Sequence, residues 1–274
     1  MKQQRQLFGG SDKQYAVSLG INPAQLSRLL KGDIEGVLAA QKWEYIAQTL
    51  GVGTATWKAA RTQVLEYIHT QLEMCQQNSM AAILVDPAGV GKTFAAKLYK
   101  RSHSNVVYVD CSQSRTRQQR LLSIAQQLGI DVMKKSDDLY RIVTYSLNTA
   151  FDHPLVILDE MGDLKLDAIQ AVKAMWTAAE CRSGWYAIGA EGLQARIERS
   201  IKNRVPGFVE LYSRFGGTFN HAVPLDDASA QDYLAKDCAA IIKLNAPERM
   251  PEAARIIKQV DASPRAVHNI LRVA

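Results

Sequence analysis

The chain alternates short unbroken apolar runs with stretches whose apolar residues recur every three or four positions. Four runs read as strands: Ala81–Val85, Val106–Val109, Leu155–Leu158 and Trp185–Ile188. Each is four or five residues long and continuous, which suits a strand covered on both faces rather than one half open to water. A fifth strand is expected at about 218–223, just ahead of Pro224. Between the strands come helical patterns: one after Lys92, one over 121–128 that stops at Gly129, one over 139–150 and one over 167–181. The polar stretch 131–137 reads as loop. Alternating strands and helices predict an α/β fold with a parallel sheet, and a ligand site outside the carboxyl ends of the strands. A long helix over 54–78, with Val64, Ile68, Leu72 and Cys75 on one face, is expected to lead into the sheet. Helices at 226–243, 248–260 and 264–272 follow it.

The first fifty residues follow another pattern. A helix from Asp12 to Leu19 meets a turn at Gly20-Ile21-Asn22, and Pro23 opens a second helix that Gly32 ends. A third covers roughly 38–50. Ala16, Leu19, Ile21, Leu26, Leu29 and Leu30 are spaced to share a small core. The arrangement resembles a helix-turn-helix of the phage-repressor type, whose second helix enters the major groove of DNA. Gln25, Ser27, Arg28 and Lys31 are then its outward polar residues. A small helical domain that docks protein instead of DNA has the same pattern.

Chemistry enters between the first strand and its helix, in AAILV-DPAGVGKT-FAAKLYKR. Strand, glycine loop, Lys-Thr and helix make the context of a phosphate-binding loop. The backbone N–H groups of Pro87-Ala88-Gly89-Val90-Gly91-Lys92-Thr93-Phe94 can wrap a triphosphate where no Cβ blocks the approach, except at Pro87, which has no N–H. The helix N-terminus adds a favourable field. Lys92 is placed to reach the β- and γ-phosphates of ATP, and the Thr93 hydroxyl to hold Mg²⁺. One position departs from the pattern: Asp86 stands where the motif has its first glycine, a place where tolerance of left-handed backbone helps. About 65 residues on, LVILDE ends an apolar strand in two acids. Asp159 then binds Mg²⁺ through water, and Glu160 polarises the attacking water.

Composition changes this picture little and charge somewhat more. Of 274 residues 47% are hydrophobic and 22% charged, as in ordinary globular proteins. Cys75, Cys111, Cys181 and Cys238 lie far apart, with no metal spacing, and read as buried thiols of a reducing compartment. No signal segment is evident and the apolar runs are too short to span a bilayer, so a cytoplasmic protein is expected, with no membrane partner. Net charge is +6 and pI about 9.1, with the excess concentrated in residues 1–60 and 111–150. Arg115, Arg117 and Arg120 follow the second strand, and Lys202 and Arg204 lie further on. Arginine forks suit phosphate oxygens, so both clusters are candidates for DNA backbone contact.

In this order the motifs resemble those of the AAA+ ATPases, over roughly residues 57–274. DPAGVGKT corresponds to the first Walker motif, LVILDE to the second, YSRF to the arginine finger at Arg214 and SPRAV to sensor 2 at Arg265. The first sensor departs from the family, because Gly189-Ala190-Glu191 offers no polar side chain where one is usual, unless Glu191 substitutes. A short N-terminal helix-turn-helix, compact core and small helical lid look most like the transposition regulators, the phage Mu B protein and Tn7-like target-selection family. That resemblance implies domains at 1–53, 54–224 and 225–274. It also implies an ATP- and Mg²⁺-dependent ATPase that forms a homo-oligomeric filament or ring on double-stranded DNA and selects targets for a transposase. An ATP-switched transcription regulator or a helicase loader is the alternative.

Overall fold

The computed structural model describes residues 1–50, 57–114, 116–130, 136–179 and 182–273. Its centre is a sheet of five parallel strands: β1 (Ala81–Val85), β2 (Val106–Asp110), β3 (Leu155–Asp159), β4 (Gly184–Gly189) and β5 (Phe219–Asn220), in the order β2-β3-β4-β1-β5. The apolar runs are continuous because both faces are covered, and the strand period of two deals their residues alternately to the two sides. Val156, Leu158, Trp185 and Ala187 enter one core, while Leu155, Ile157, Tyr186 and Ile188 enter the other. Most of these are wholly buried, and trimming one such large residue to alanine costs about 2–5 kcal/mol.

Helices α1 (Lys2–Leu7), α2 (Asp12–Ser18), α3 (Pro23–Lys31) and α4 (Ala40–Leu50) precede the sheet, then α5 (Gln63–Gln77). The crossovers carry α6 (Lys92–Ser102), α7 (Arg117–Gln127), α8 (Ser136–Thr149), α9 (Leu166–Ala178), α10 (Glu191–Lys202) and α11 (Phe208–Arg214). After β5 come α12 (Asp227–Asn245), a 3₁₀ segment (Pro247–Glu252), α13 (Ala253–Gln259) and α14 (Pro264–Val273). The first helices gather round Tyr15, Ala16, Leu19, Leu26 and Ile46, and the last ones round Cys238, Ile242, Ile256 and Val267. Among the described residues no helix is long and apolar enough to cross a membrane. Cys75, Cys111 and Cys238 are buried free thiols, as expected; Cys181 lies outside the described residues.

Three expectations need correction. The helix expected from 54 begins at Gln63. Thr62 caps it by accepting the Leu65 N–H, and the buried carboxylate of Asp237 accepts those of Gln63 (2.6 Å) and Val64 (3.1 Å). The free amides of a helix start thus receive partners at a defined residue, which hydrophobic spacing alone does not reveal. The loop expected over 131–137 ends earlier, since Ser136 already opens α8, and 131–135 lie outside the described residues. The fifth strand is two residues long. The Ala222 and Val223 amides leave the ladder and donate instead to the carboxylate of Asp86, at 2.9 and 3.1 Å.

Candidate nucleotide site

The Asp86 contact explains the departure from the phosphate-loop pattern. Asp86 is buried and is not among the residues with positive φ, so the left-handed tolerance expected of it is not used. It acts as a side-chain acceptor that fastens the start of the loop to the end of the fifth strand. Burial raises its pKa, against the lowering effect of the two amides and Lys92. Gly89 and Gly91 do use the freedom of glycine, at φ +89° and +109°, and Gly91 leads directly into α6.

The loop opens on a cavity of about 450 Å³ at the carboxyl ends of the strands. Gly89, Gly91, Lys92, Thr93, Glu160 and Arg265 line one part of it; Trp57, Leu65, Ile241 and His268 line another. Glycine backbone, an ammonium and a hydroxyl are the chemistry of a triphosphate seat, and the apolar lining suits a flat ring. Lys92 is buried, and its Nζ donates to the carbonyls of Asp86 (2.6 Å) and Pro87 (2.7 Å), the loop's own backbone. Burial lowers its pKa, while Asp86, Glu160 and Asp159 oppose the shift. Phe94 stands half exposed at the rim.

Asp159 ends β3, is buried, and has both oxygens occupied. The Tyr108 hydroxyl donates to Oδ2 at 2.6 Å and the Glu160 N–H donates to Oδ1 at 3.0 Å. Glu160 adopts a left-handed backbone (φ +53°), which turns the chain at the strand end and sends its side chain to the cavity wall. Desolvation there raises the Glu160 pKa, and Asp159 beside it adds to the rise. A carboxylate so tuned is a better proton acceptor for water. Arg265, in the first turn of α14, donates its backbone N–H to the Gly89 carbonyl at 3.1 Å, so the C-terminal helices close directly onto the loop.

The structure therefore brings Lys92, Thr93, Glu160 and Arg265 to one cavity, with Asp159 beneath. Arg214 is not on it. Its guanidinium lies over the Trp176 ring at 5.2 Å, at the end of α11. Ala190 lines the cavity without a polar group, and Glu191 is exposed in the first turn of α10 without lining it. Of the basic residues, Arg115 lies outside the described residues, and Arg117 is exposed over the Tyr140 ring. Arg120, which the sequence groups with them, is wholly buried. Its guanidinium donates to the Ala168 carbonyl, and burial pushes its pKa down to about 10. It faces the core because α7 turns its apolar side, with Leu121 and Ile124, toward the sheet. Lys202 and Arg204 are exposed around the end of α10. In α3, Ser27, Arg28 and Lys31 are exposed, with Arg28 paired to Asp33 at 2.7 Å. Gln25 is engaged in the Asn22 capping box and donates to the Val37 carbonyl. Sequence reasoning missed Trp57, Tyr108 and His268; an aromatic beside a phosphate-loop fold was the available signal for each.

Phosphate loop, acidic pair and sheet order together define an AAA+ P-loop domain. A family model described as an AAA domain matches residues 75–197. The solved structure of Cdc6p from Pyrobaculum aerophilum aligns with a TM-score of 0.50 and 16% identity, over 72% of this chain and 53% of that one, a likeness of fold. The Mu-like prophage FluMu DNA transposition protein B of Haemophilus influenzae is 29% identical over 204 residues, 69% of this chain and 67% of that protein. The ATP-dependent target DNA activator B proteins of Escherichia phages D108 and Mu are each 24% identical over 209 residues, 74% of this chain and 65% of theirs. The chain thus spans about two thirds of the length of these curated relatives. In sequence it is similar to AAA-domain proteins and to the transposition proteins B of Mu-like phages.

Proposed function

We propose that the chain binds and hydrolyses ATP and, in its ATP-bound form, assembles on double-stranded DNA to mark target sites for a transposase. The observation that carries this is the convergence of Lys92, Thr93, Glu160 and Arg265 on one cavity, in a chain similar to proteins named for ATP-dependent target DNA activation. The proposed division is a DNA-contacting helical domain at 1–53, the ATPase core at 54–224 and a lid at 225–274.

The site fits Mg²⁺ by its donors. Thr93 offers a hydroxyl at the cavity wall, and Asp159 a carboxylate close enough to Lys92 to influence its charge. When bound, the ion neutralises charge developing on the transferred phosphoryl group. Lys92 leaves its loop carbonyls for the β- and γ-phosphate oxygens, while the Gly89 and Gly91 segment presents backbone N–H groups. Glu160 takes a proton from the attacking water at a carboxylate oxygen. Arg265 grips the same nucleotide from the lid. Arg214 reaches the γ-phosphate of a neighbouring subunit, and Arg115, Arg117, Lys202 and Arg204 contact phosphates of the duplex.

Binding of random-sequence duplex with and without ATP tests the reading. With about three phosphate contacts per protomer, log affinity falls with log salt at a slope of about −2.7. Removing one of these basic residues lowers that slope by about one and weakens all sequences alike. Tight binding to one sequence without ATP, altered by changes at Gln25 or Arg28, refutes the target-marking reading in favour of a helix-turn-helix regulator.

A further inference from the structure

We propose that Tyr108 is a positioning residue for the magnesium site: its phenol holds the Asp159 carboxylate in the orientation that receives the ion. This rests on the ATP-site reading above. Tyr108 belongs to β2, the outer neighbour of β3, and its register partner is Ile157, two residues before Asp159. From there its hydroxyl donates to Asp159 Oδ2 at 2.6 Å, while the Glu160 amide holds Oδ1. Two donors on two different oxygens fix the rotation of the carboxylate plane. An ionised carboxylate has about four lone-pair sites, so both bonds leave room for a water of the metal's shell.

Tyr108 is itself clamped. β2 is the outermost strand, and the Gln127 side-chain amide closes its open edge. Gln127 Oε1 accepts the Tyr108 N–H at 3.0 Å and its Nε2 donates to the Tyr108 carbonyl at 2.7 Å. On the other side the Lys97 ammonium lies over the ring at 5.4 Å, and Lys97 also lines the nucleotide cavity. The phenol therefore sits in a defined place between the cavity wall and the acid, which a purely space-filling residue on an edge strand does not require.

Tyr108→Phe keeps the ring and removes the donor. The test is binding of a fluorescent ATP analogue over a range of free Mg²⁺, for wild type, Tyr108→Phe and Asp159→Asn, with thermal melting of each unliganded protein. A hydrogen bond to a charged group of this kind corresponds to about a tenfold effect. The expected result is a half-saturating Mg²⁺ concentration about tenfold higher in Tyr108→Phe, displaced in the direction of Asp159→Asn. Affinity without Mg²⁺ is unchanged and the melting temperature moves by no more than a few degrees. Coincident Mg²⁺ curves for wild type and Tyr108→Phe overturn the positioning role alone. So does an equal loss of affinity with and without Mg²⁺, which marks a general loosening of the site. A wild-type protein that binds no nucleotide at any Mg²⁺ concentration overturns the ATP-site reading and the proposal with it.

Discussion

Replacing Asp86 by alanine removes the acceptor of two buried backbone amides at once. Its carboxylate takes the Ala222 and Val223 N–H groups at 2.9 and 3.1 Å, in a place where the residue is 1% exposed. Each amide left unpaired costs about 1–3 kcal/mol, so the pair accounts for about 2–6. Against this stands relief of the buried charge, whose cost shows in the raised pKa of Asp86. A net loss of about 3 kcal/mol follows. For a chain of this size that corresponds to a fall in melting temperature of roughly 6–12 °C. Asp86→Asn keeps one acceptor and sheds the charge, so it falls by less than half as much. Asp86→Gly restores the usual motif residue but loses the same two bonds, so it matches the alanine variant or is worse. Differential scanning fluorimetry on the three variants measures this order. An alanine variant melting within 1 °C of wild type refutes the idea that Asp86 fastens loop to strand.

Lys92→Ala is expected to lose ATP binding, since the β- and γ-phosphates lose the buried ammonium that follows the glycine loop; Glu160→Gln is expected to keep binding and lose about 10²–10⁴-fold in turnover, both measured by nucleotide titration and phosphate release. Arg214→Ala is expected to cost 10³–10⁵-fold in assembled turnover. Mixing it with Lys92→Ala subunits should recover part of the activity, and no recovery at any ratio sinks the trans role. His69 Nε2–H donates to the Ala95 carbonyl at 3.0 Å, and burial holds its pKa below the ordinary 6.5. Its contribution to stability is therefore complete above pH 6.5 and lost as pH falls through the lowered value; His69→Gln should flatten the acid side of a melting-temperature profile.

What the sequence made legible follows from which signals are local. Ala81–Val85 and Leu155–Asp159 are visible because a strand covered on both faces has no polar side to disguise it, and GKT and Asp-Glu stand at their ends. Gly32 and Gly129 mark helix ends because left-handed backbone selects glycine there, at φ +92° and +69°. The start of α5 was invisible because its partner, Asp237, lies more than 170 positions away. Asp86 was misread for the same reason: its partners come from 222 and 223, and a motif comparison sees only the missing glycine. Arg120 looked like its basic neighbours, and only the face that α7 presents to the sheet separates it from Arg117.

The same α6 that begins at the phosphate loop ends against the N-terminal helices. At about 1.5 Å per residue its eleven residues span about 16 Å, from Lys92 in the cavity to Ser102, and the carbonyl of Arg101 just before that end accepts the Gln4 side-chain amide. Around that end the first helices are seated by specific contacts. Asn105 accepts the Gly9 N–H, the Gln126 amide donates to the Tyr45 hydroxyl, and Phe8 packs edge-on against Phe151. A Cβ on Gly129 would lie 2.1 Å from the Gln14 carbonyl oxygen, so glycine there serves the docking as well as the helix end. These contacts engage α1, α2 and α4, whereas Ser27, Arg28 and Lys31 of α3 remain exposed. N-terminal helices held in this way are oriented by the sheet and its crossover helices rather than tethered loosely to them.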